Sequence, residues 1–189
     1  MNPLQMLGAA AALIGAAVVA LKAGSAGAAI NPAEGIASPG DIAPSRSKAL
    51  RLNTDKWEVP SAADPFLSAI RDAEEKYRLP RNFLAAALYQ ESRFRDDIIT
   101  GKVNSPAGAI GIAQIIPRWH PNVDPLDPFE AIDYAGQEFR KWKNALGSWE
   151  ESIIAYNWGP GNWQRIEQDF DRLPEETANY IRDVMGRIG

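Results

Sequence analysis

Apolar and polar positions divide the chain into three zones with different rhythms. Residues 6–21, MLGAAAALIGAAVVAL, form an uninterrupted apolar run, and Lys22 is followed by the small residues GSAGAAI. Residues 31–60 carry no periodicity; prolines at 32, 39, 44 and 60 are spaced by small polar side chains, the composition of a linker. The expected organisation is therefore an apolar N-terminal segment over 1–30, a Pro-rich linker over 31–60 and one folded domain over 61–189. Trp57 and Val59 are expected to dock on the edge of that domain.

From residue 61 apolar positions recur at steps of three and four, which predicts helix throughout. Asp64-Pro65 reads as an N-cap and first-turn proline, with Phe66, Ile70, Ala73 and Tyr77 along one face and Leu79-Pro80 as the stop. A second helix is predicted from about Asn82 to Phe94, where Leu84, Ala87, Leu88 and Glu91 share a stripe. Asp127-Pro128 opens another, carrying Phe129, Ile132, Ala135, Phe139 and Trp142. Ser148 with Glu151 three residues later forms a capping box ahead of SIIAYNW. Pro174, Glu175 and Glu176 begin the last helix, whose inner face is Tyr180, Ile181, Val184 and Ile188, and whose first-turn acids suit the helix dipole. The one extended piece expected is IITGKV at 98–103. The fold class is thus mainly α, with at most a small β element.

Three readings fit the N-terminal run. Its sixteen residues fall short of the roughly 20 a membrane helix needs, unless the segment continues past Lys22 with that side chain snorkelling. A secretory signal would use Ala26-Gly27-Ala28 as cleavage site, yet no Lys or Arg precedes the run, and Lys22 after it would favour a cytoplasmic location for the rest of the chain. The third is an Ala/Gly-rich helix packed into a larger assembly.

Composition narrows the chemistry. The chain has 189 residues, no cysteine and a single histidine, His120. Thiol nucleophiles, disulfides, thiolate or histidine metal centres and a Ser-His-Asp triad are therefore disfavoured, and catalysis falls to carboxylates. No cofactor or metal is expected. Residues 61–189 hold 15 Lys and Arg against 20 Asp and Glu, a poor match to nucleic acid and a better one to a neutral, sugar-like ligand.

Three stretches offer candidate groups. Glu91 falls on the inward stripe of its helix, where desolvation favours the protonated form and makes a general acid; the plain alternative is a solvated, frayed helix end. In SPAGAIGIAQIIP, residues 105–117, Gly108 and Gly111 leave one side almost without bulk, and on a helical winding Gln114 joins that side. A tightly packed core helix would read the same way. In AYNWGPGNW, residues 155–163, Tyr156 and Asn157 end a helix that Gly159 and Pro160 break, and Trp158 and Trp163 could stack on sugar faces or serve as core.

Taken in order, LPRNFLAAALYQESRF, SPAGAIGIAQIIP, DPFEAIDYAGQEFRKW, AYNWGPGNW and LPEETANYI resemble the catalytic domain of lytic transglycosylases of the soluble-lytic-transglycosylase type, over about residues 64–186, and more distantly goose-type lysozyme. The resemblance implies a lysozyme-like helical domain acting on peptidoglycan glycan strands. It implies Glu91 as catalytic acid and base, Ser105 as a serine hydrogen-bonding near that carboxylate, and Gln114 as a glycan-contacting amide. Tyr156 and Asn157 would line the cleft, with Glu176 and Tyr180 closing it from the last helix. Ile112-Ala113 stands where the family has Leu-Met, Trp158 stands where it has a small residue, and the Glu91-to-Ser105 loop is longer than usual.

The resemblance further implies cleavage between N-acetylmuramic acid and N-acetylglucosamine, with the muramic C6 hydroxyl closing a 1,6-anhydro ring. Two rivals stand beside it. One is a lysozyme-like hydrolase whose water is oriented by Asp96, Asp97 or Glu176; the other is a glycan-binding structural element without turnover. A wall-cutting domain on a linker behind an apolar N-terminus suits a virion-associated phage protein that opens the wall locally, with a membrane-anchored enzyme facing the periplasm as the alternative. Residues 1–30 would then contact membrane, virion or envelope assembly proteins.

Overall fold

A computed structural model describes residues 57–188. The apolar run at 6–21 and most of the predicted linker lie outside the described residues. Trp57 does dock on the domain, its ring 6.1 Å from that of Tyr89. Among the described residues seven α-helices follow in order: α1 Leu67–Lys76, α2 Phe83–Ser92, α3 Asp96–Ile99, α4 Pro128–Leu146, α5 Trp149–Asn157, α6 Pro160–Arg165 and α7 Glu175–Met185, with 3-10 turns at Ser61–Phe66 and Phe170–Arg172. No helix among the described residues is long and apolar enough to cross a membrane.

Helix α2 organises the rest. All of its residues except Tyr89 are buried, so it is enclosed on every side rather than along one stripe. The fully buried Phe83, Leu84 and Leu88 each contribute about 1.5–3 kcal/mol of apolar transfer. Its N-terminus lacks a local cap: Asn82 stands in the left-handed region and makes no side-chain cap bond. Glu74 of α1 supplies the missing acceptor, its Oε1 receiving the N–H groups of Leu84 at 3.0 Å and Ala85 at 3.4 Å while Arg71 holds Oε2. A carboxylate there satisfies orphan donors and suits the positive helix end.

The local cap signals of α4 and α5 hold. Asp127 accepts from the N–H groups of Phe129 and Glu130, and Ser148 accepts from the Glu151 N–H at 3.1 Å while its hydroxyl donates to the Glu151 carboxylate at 2.9 Å. Gly136 lets α4 close on α1, since a Cβ there would meet the Tyr77 ring at 2.9 Å. Ile181 and Val184 of α7 enter the core as expected.

Three local expectations fail. Asp64 makes no side-chain cap bond; Pro65 lies inside the 3-10 turn, and the α-helix begins only at Leu67. The IITGKV piece is not extended, because Asp96 and Asp97 start the short helix α3, whose Ile98 and Ile99 are buried. Residues 105–117 do not form a helix either. They fold into turns closed by an isolated antiparallel bridge between Ile110 and Ile115, two hydrogen bonds of 3.0 Å each. Gly111 turns at φ +78°, and a Cβ there would sit 1.8 Å from the Pro125 carbonyl oxygen, so its small size serves a close backbone approach. Gly108 has open space around it and does not share a helical face with Gly111.

Candidate active site

Glu91 lies in the last turn of α2, 2 % exposed. The helix ends abruptly just beyond it, with both Arg93 and Phe94 in the left-handed region at φ 53°. Ser92 supports that exit: its hydroxyl donates to the Leu88 carbonyl at 3.1 Å and accepts from the Phe94 N–H at 3.2 Å. Phe94 is thereby tucked into the core.

From α7, the Tyr180 hydroxyl donates to Glu91 Oε1 at 2.7 Å and lies 3.3 Å from the Ala87 carbonyl oxygen. Burial pushes the Glu91 carboxyl from 4.5 up to about 8, against the downward pull of the Tyr180 hydrogen bond and with a further upward push from the Glu176 charge. Desolvation penalises the anion more than one hydroxyl donor stabilises it. The group is therefore an acid at neutral pH whose conjugate base already has a donor waiting. Burial also raises the Tyr180 and Tyr156 hydroxyls well above the usual phenol range, which keeps both as neutral donors.

The remaining implied residues divide into those gathered at this centre and those engaged elsewhere. Tyr156 is buried, stacked on Phe139 at 4.3 Å, and donates to the Ala113 carbonyl at 2.9 Å, so it ties α5 to the 105–117 turns rather than presenting a ring to the cleft. The Glu91 charge adds to burial in raising the Tyr156 hydroxyl. Asn157 accepts from the Thr177 hydroxyl at 3.0 Å, joining α5 to α7. Glu176 is exposed in the first turn of α7.

Ser105 and Gln114 also differ from what the resemblance implies. The Ser105 hydroxyl accepts from the Ala109 N–H at 2.8 Å within its own turn, and no hydrogen bond joins it to Glu91; Tyr180 fills that role instead. Gln114 is buried at φ +48°, its amide curled back to donate to the Gly111 carbonyl at 3.0 Å. Trp163 is closed to a sugar face, being 0 % exposed with its indole N–H directed at Glu151. Trp158 is half-buried against the core. Of the acids weighed for orienting a water, Asp97 is held by Arg95, Nε to Oδ1 at 3.0 Å.

The family model for the transglycosylase SLT domain matches residues 68–179, more than half of the chain. The chain belongs to that family. It is a peptidoglycan lytic transglycosylase, and its strand-free helical architecture over the described residues is consistent with the lysozyme-like fold expected from the resemblance. No match to a solved structure accompanies the family match.

Two contributors to this SLT domain escaped sequence reasoning. Glu74 sits four residues after Ile70 and three before Tyr77, on the buried face of α1, and an acid in that phase was the available signal. Thr177 pairs with Asn157 across 20 residues, a contact that no local pattern announces.

Proposed function

We propose that Glu91 performs both proton transfers of a non-hydrolytic glycan cleavage. The carrying observation is the buried carboxyl, protonated up to about pH 8, with the Tyr180 hydroxyl 2.7 Å from Oε1. In the first step the Glu91 proton passes to the glycosidic oxygen as the bond from C1 of N-acetylmuramic acid to that oxygen breaks and the muramic ring gains oxocarbenium character. The Tyr180 hydrogen bond strengthens as Glu91 becomes the anion. In the second step the sugar's own C6 hydroxyl attacks C1, its proton returns to Glu91, and a 1,6-anhydro ring closes. The starting state of the enzyme is regenerated without water.

Ser105 and Glu176 are proposed as groups that meet the glycan near this acid, while Gln114, Asn157 and Tyr156, buried and hydrogen-bonded to their neighbours, are proposed to shape the wall behind it. The biological setting we infer is local wall opening by a phage particle during entry, supported by a small cutting domain carried on a Pro-rich stretch behind an apolar N-terminal run. A membrane-anchored enzyme of an envelope machine is the alternative that the same layout supports.

Mass spectrometry of digested peptidoglycan tests the chemistry. Products ending in 1,6-anhydro-muramic acid are expected, and Glu91→Gln is expected to bind glycan yet release no fragments. Products with reducing ends only would instead mean that water is the nucleophile.

A further inference from the structure

Two tyrosine hydroxyls fasten the turns at 105–126 to the helices. Tyr156 of α5 donates to the Ala113 carbonyl at 2.9 Å. Tyr134 of α4 is hydrogen-bonded to Nδ1 of His120, the one histidine of the chain, and the two rings meet edge to face with centres 5.3 Å apart. Burial, with the Glu138 charge behind it, raises the Tyr134 hydroxyl well above the ordinary phenol range, so that hydroxyl is the donor and Nδ1 the acceptor. The His120 ring is therefore neutral, with its proton on Nε2. One turn further along α4, Glu138 is buried, and Lys141 Nζ donates to its two oxygens at 2.8 and 3.0 Å.

The two fastenings are mechanically joined. The chain between them folds back in turns, with the Trp119 N–H on the Ile116 carbonyl at 3.0 Å and the His120 N–H on that of Pro117 at 3.1 Å. Beyond them Pro125 lays its carbonyl so close to Gly111 that no Cβ fits between, and Gly111 stands two residues before Ala113. Releasing His120 therefore disturbs the approach that fixes the Ala113 carbonyl under Tyr156. The outer turn also has a reason to shift, because the Trp119 indole N–H is buried without a hydrogen-bond partner among the described residues.

Protonation takes the acceptor away. An imidazolium carries two N–H groups and no free lone pair, so the bond from Tyr134 has to reverse or break, and the Glu138 carboxylate becomes the stronger attraction. The groups that face the ring are Tyr134, Glu138 and Lys141 from α4 and, on its own turn, Arg118, exposed with its guanidinium 4.7 Å from the centre of the Trp119 ring. Burial draws His120 below its ordinary 6.5, against the pull of Glu138 and with a smaller push from Lys141. The closed arrangement disfavours the proton, so its contribution is held above pH 6.5 and lost progressively as pH falls below that value. We propose that His120 and Tyr134 are positioning residues, a pin that holds the 105–126 wall in its working shape at neutral pH and lets go in acid. The consequence for turnover rests on the reading of Glu91 as the acid that this wall serves.

With one histidine in the full chain, its imidazole gives a single nuclear magnetic resonance signal that can be followed with pH. The midpoint is expected below 6.5, and in Tyr134→Phe it should move up toward 6.5, because the donor that favours the neutral ring is gone. Hydrogen exchange of the amides at 110–120 should be about fivefold faster in Tyr134→Phe at neutral pH, the factor that one neutral hydrogen bond supplies. In the unaltered chain the protection of those amides should fall through the same midpoint as the histidine signal. An unchanged midpoint or unchanged protection overturns the pin whether or not Glu91 is the acid. Peptidoglycan cleavage then tests positioning: the loss of kcat on the acid side should begin at higher pH in Tyr134→Phe. It should be missing in His120→Asn, whose amide oxygen takes the place of Nδ1 and does not titrate. Acid sides that coincide in all three chains overturn the positioning role and leave the Glu91 reading to be decided by Glu91→Gln. Should His120→Asn unfold for loss of its ring, Tyr134→Phe decides, since it removes one oxygen atom and keeps the packing.

Discussion

Replacing Glu91 by Gln is expected to stabilise the protein, and by an amount that depends on pH in a defined way. The carboxyl titrates at about 8 when folded against 4.5 as an ordinary glutamate. Below about pH 4.5 both states hold the proton and the group contributes nothing to the pH dependence. Between the two values the unfolded chain releases the proton while the native state keeps it, so stability falls by about 1.36 kcal/mol per pH unit as pH rises. At pH 7 the accumulated penalty is about 3 kcal/mol, and it levels off near 5 kcal/mol above pH 8. A glutamine fills the same space, offers its amide oxygen to the Tyr180 hydroxyl and never ionises. Thermal unfolding monitored by near-ultraviolet circular dichroism at several pH values should therefore find the two proteins closely matched near pH 4. The variant should melt about 10 °C higher at pH 7. Other titrating groups are common to both chains and cancel in the difference. A difference that stays flat from pH 4 to pH 9 would falsify the claim that burial holds Glu91 protonated.

The geometry sets three further outcomes. Tyr180→Phe removes the donor that lowers the Glu91 pKa, so the alkaline limb of the pH–rate profile should move upward and kcat should fall; a limb at an unchanged position would mean that the 2.7 Å contact is without electrostatic effect. Glu74→Ala leaves the Leu84 and Ala85 N–H groups without an acceptor and should lower stability by about 2–3 kcal/mol in urea unfolding, with Glu74→Gln recovering part of that through its amide oxygen. Gly111→Ala forces a Cβ against the Pro125 carbonyl at positive φ and should cost about 3 kcal/mol or more, measured in the same way; tolerance of that change would contradict the close approach of the two loops.

What could be read from the sequence was what the chain specifies over a few residues. Asp127-Pro128 and Ser148 with Glu151 announce helix starts because donor and acceptor lie within one turn of each other. The phase of Glu91 was legible because three apolar residues repeat its position along α2. Residues 105–117 look helical in sequence yet are not, because their shape depends on Pro125, fourteen positions from Gly111, and the glycine pattern shows that size matters without showing to which partner. Ser105 and Gln114 stand at the matched motif positions yet spend their hydrogen bonds inside their own turns. The identity of the donor to Glu91 needed the packing of α7 on α2, which joins residues 89 positions apart.

Three consecutive alanines, 85 to 87, give α2 a narrow waist where neighbouring elements lie against it, and Tyr180 reaches the Ala87 carbonyl as well as Glu91. The tyrosine is therefore held at two points one turn apart on the same helix, a backbone carbonyl and a carboxyl, and its distance from Glu91 is tied to how closely α7 lies on that waist. A change that lifts α7 off α2 would lengthen the hydrogen bond without touching a polar atom, and the acidity of the site would drift with it.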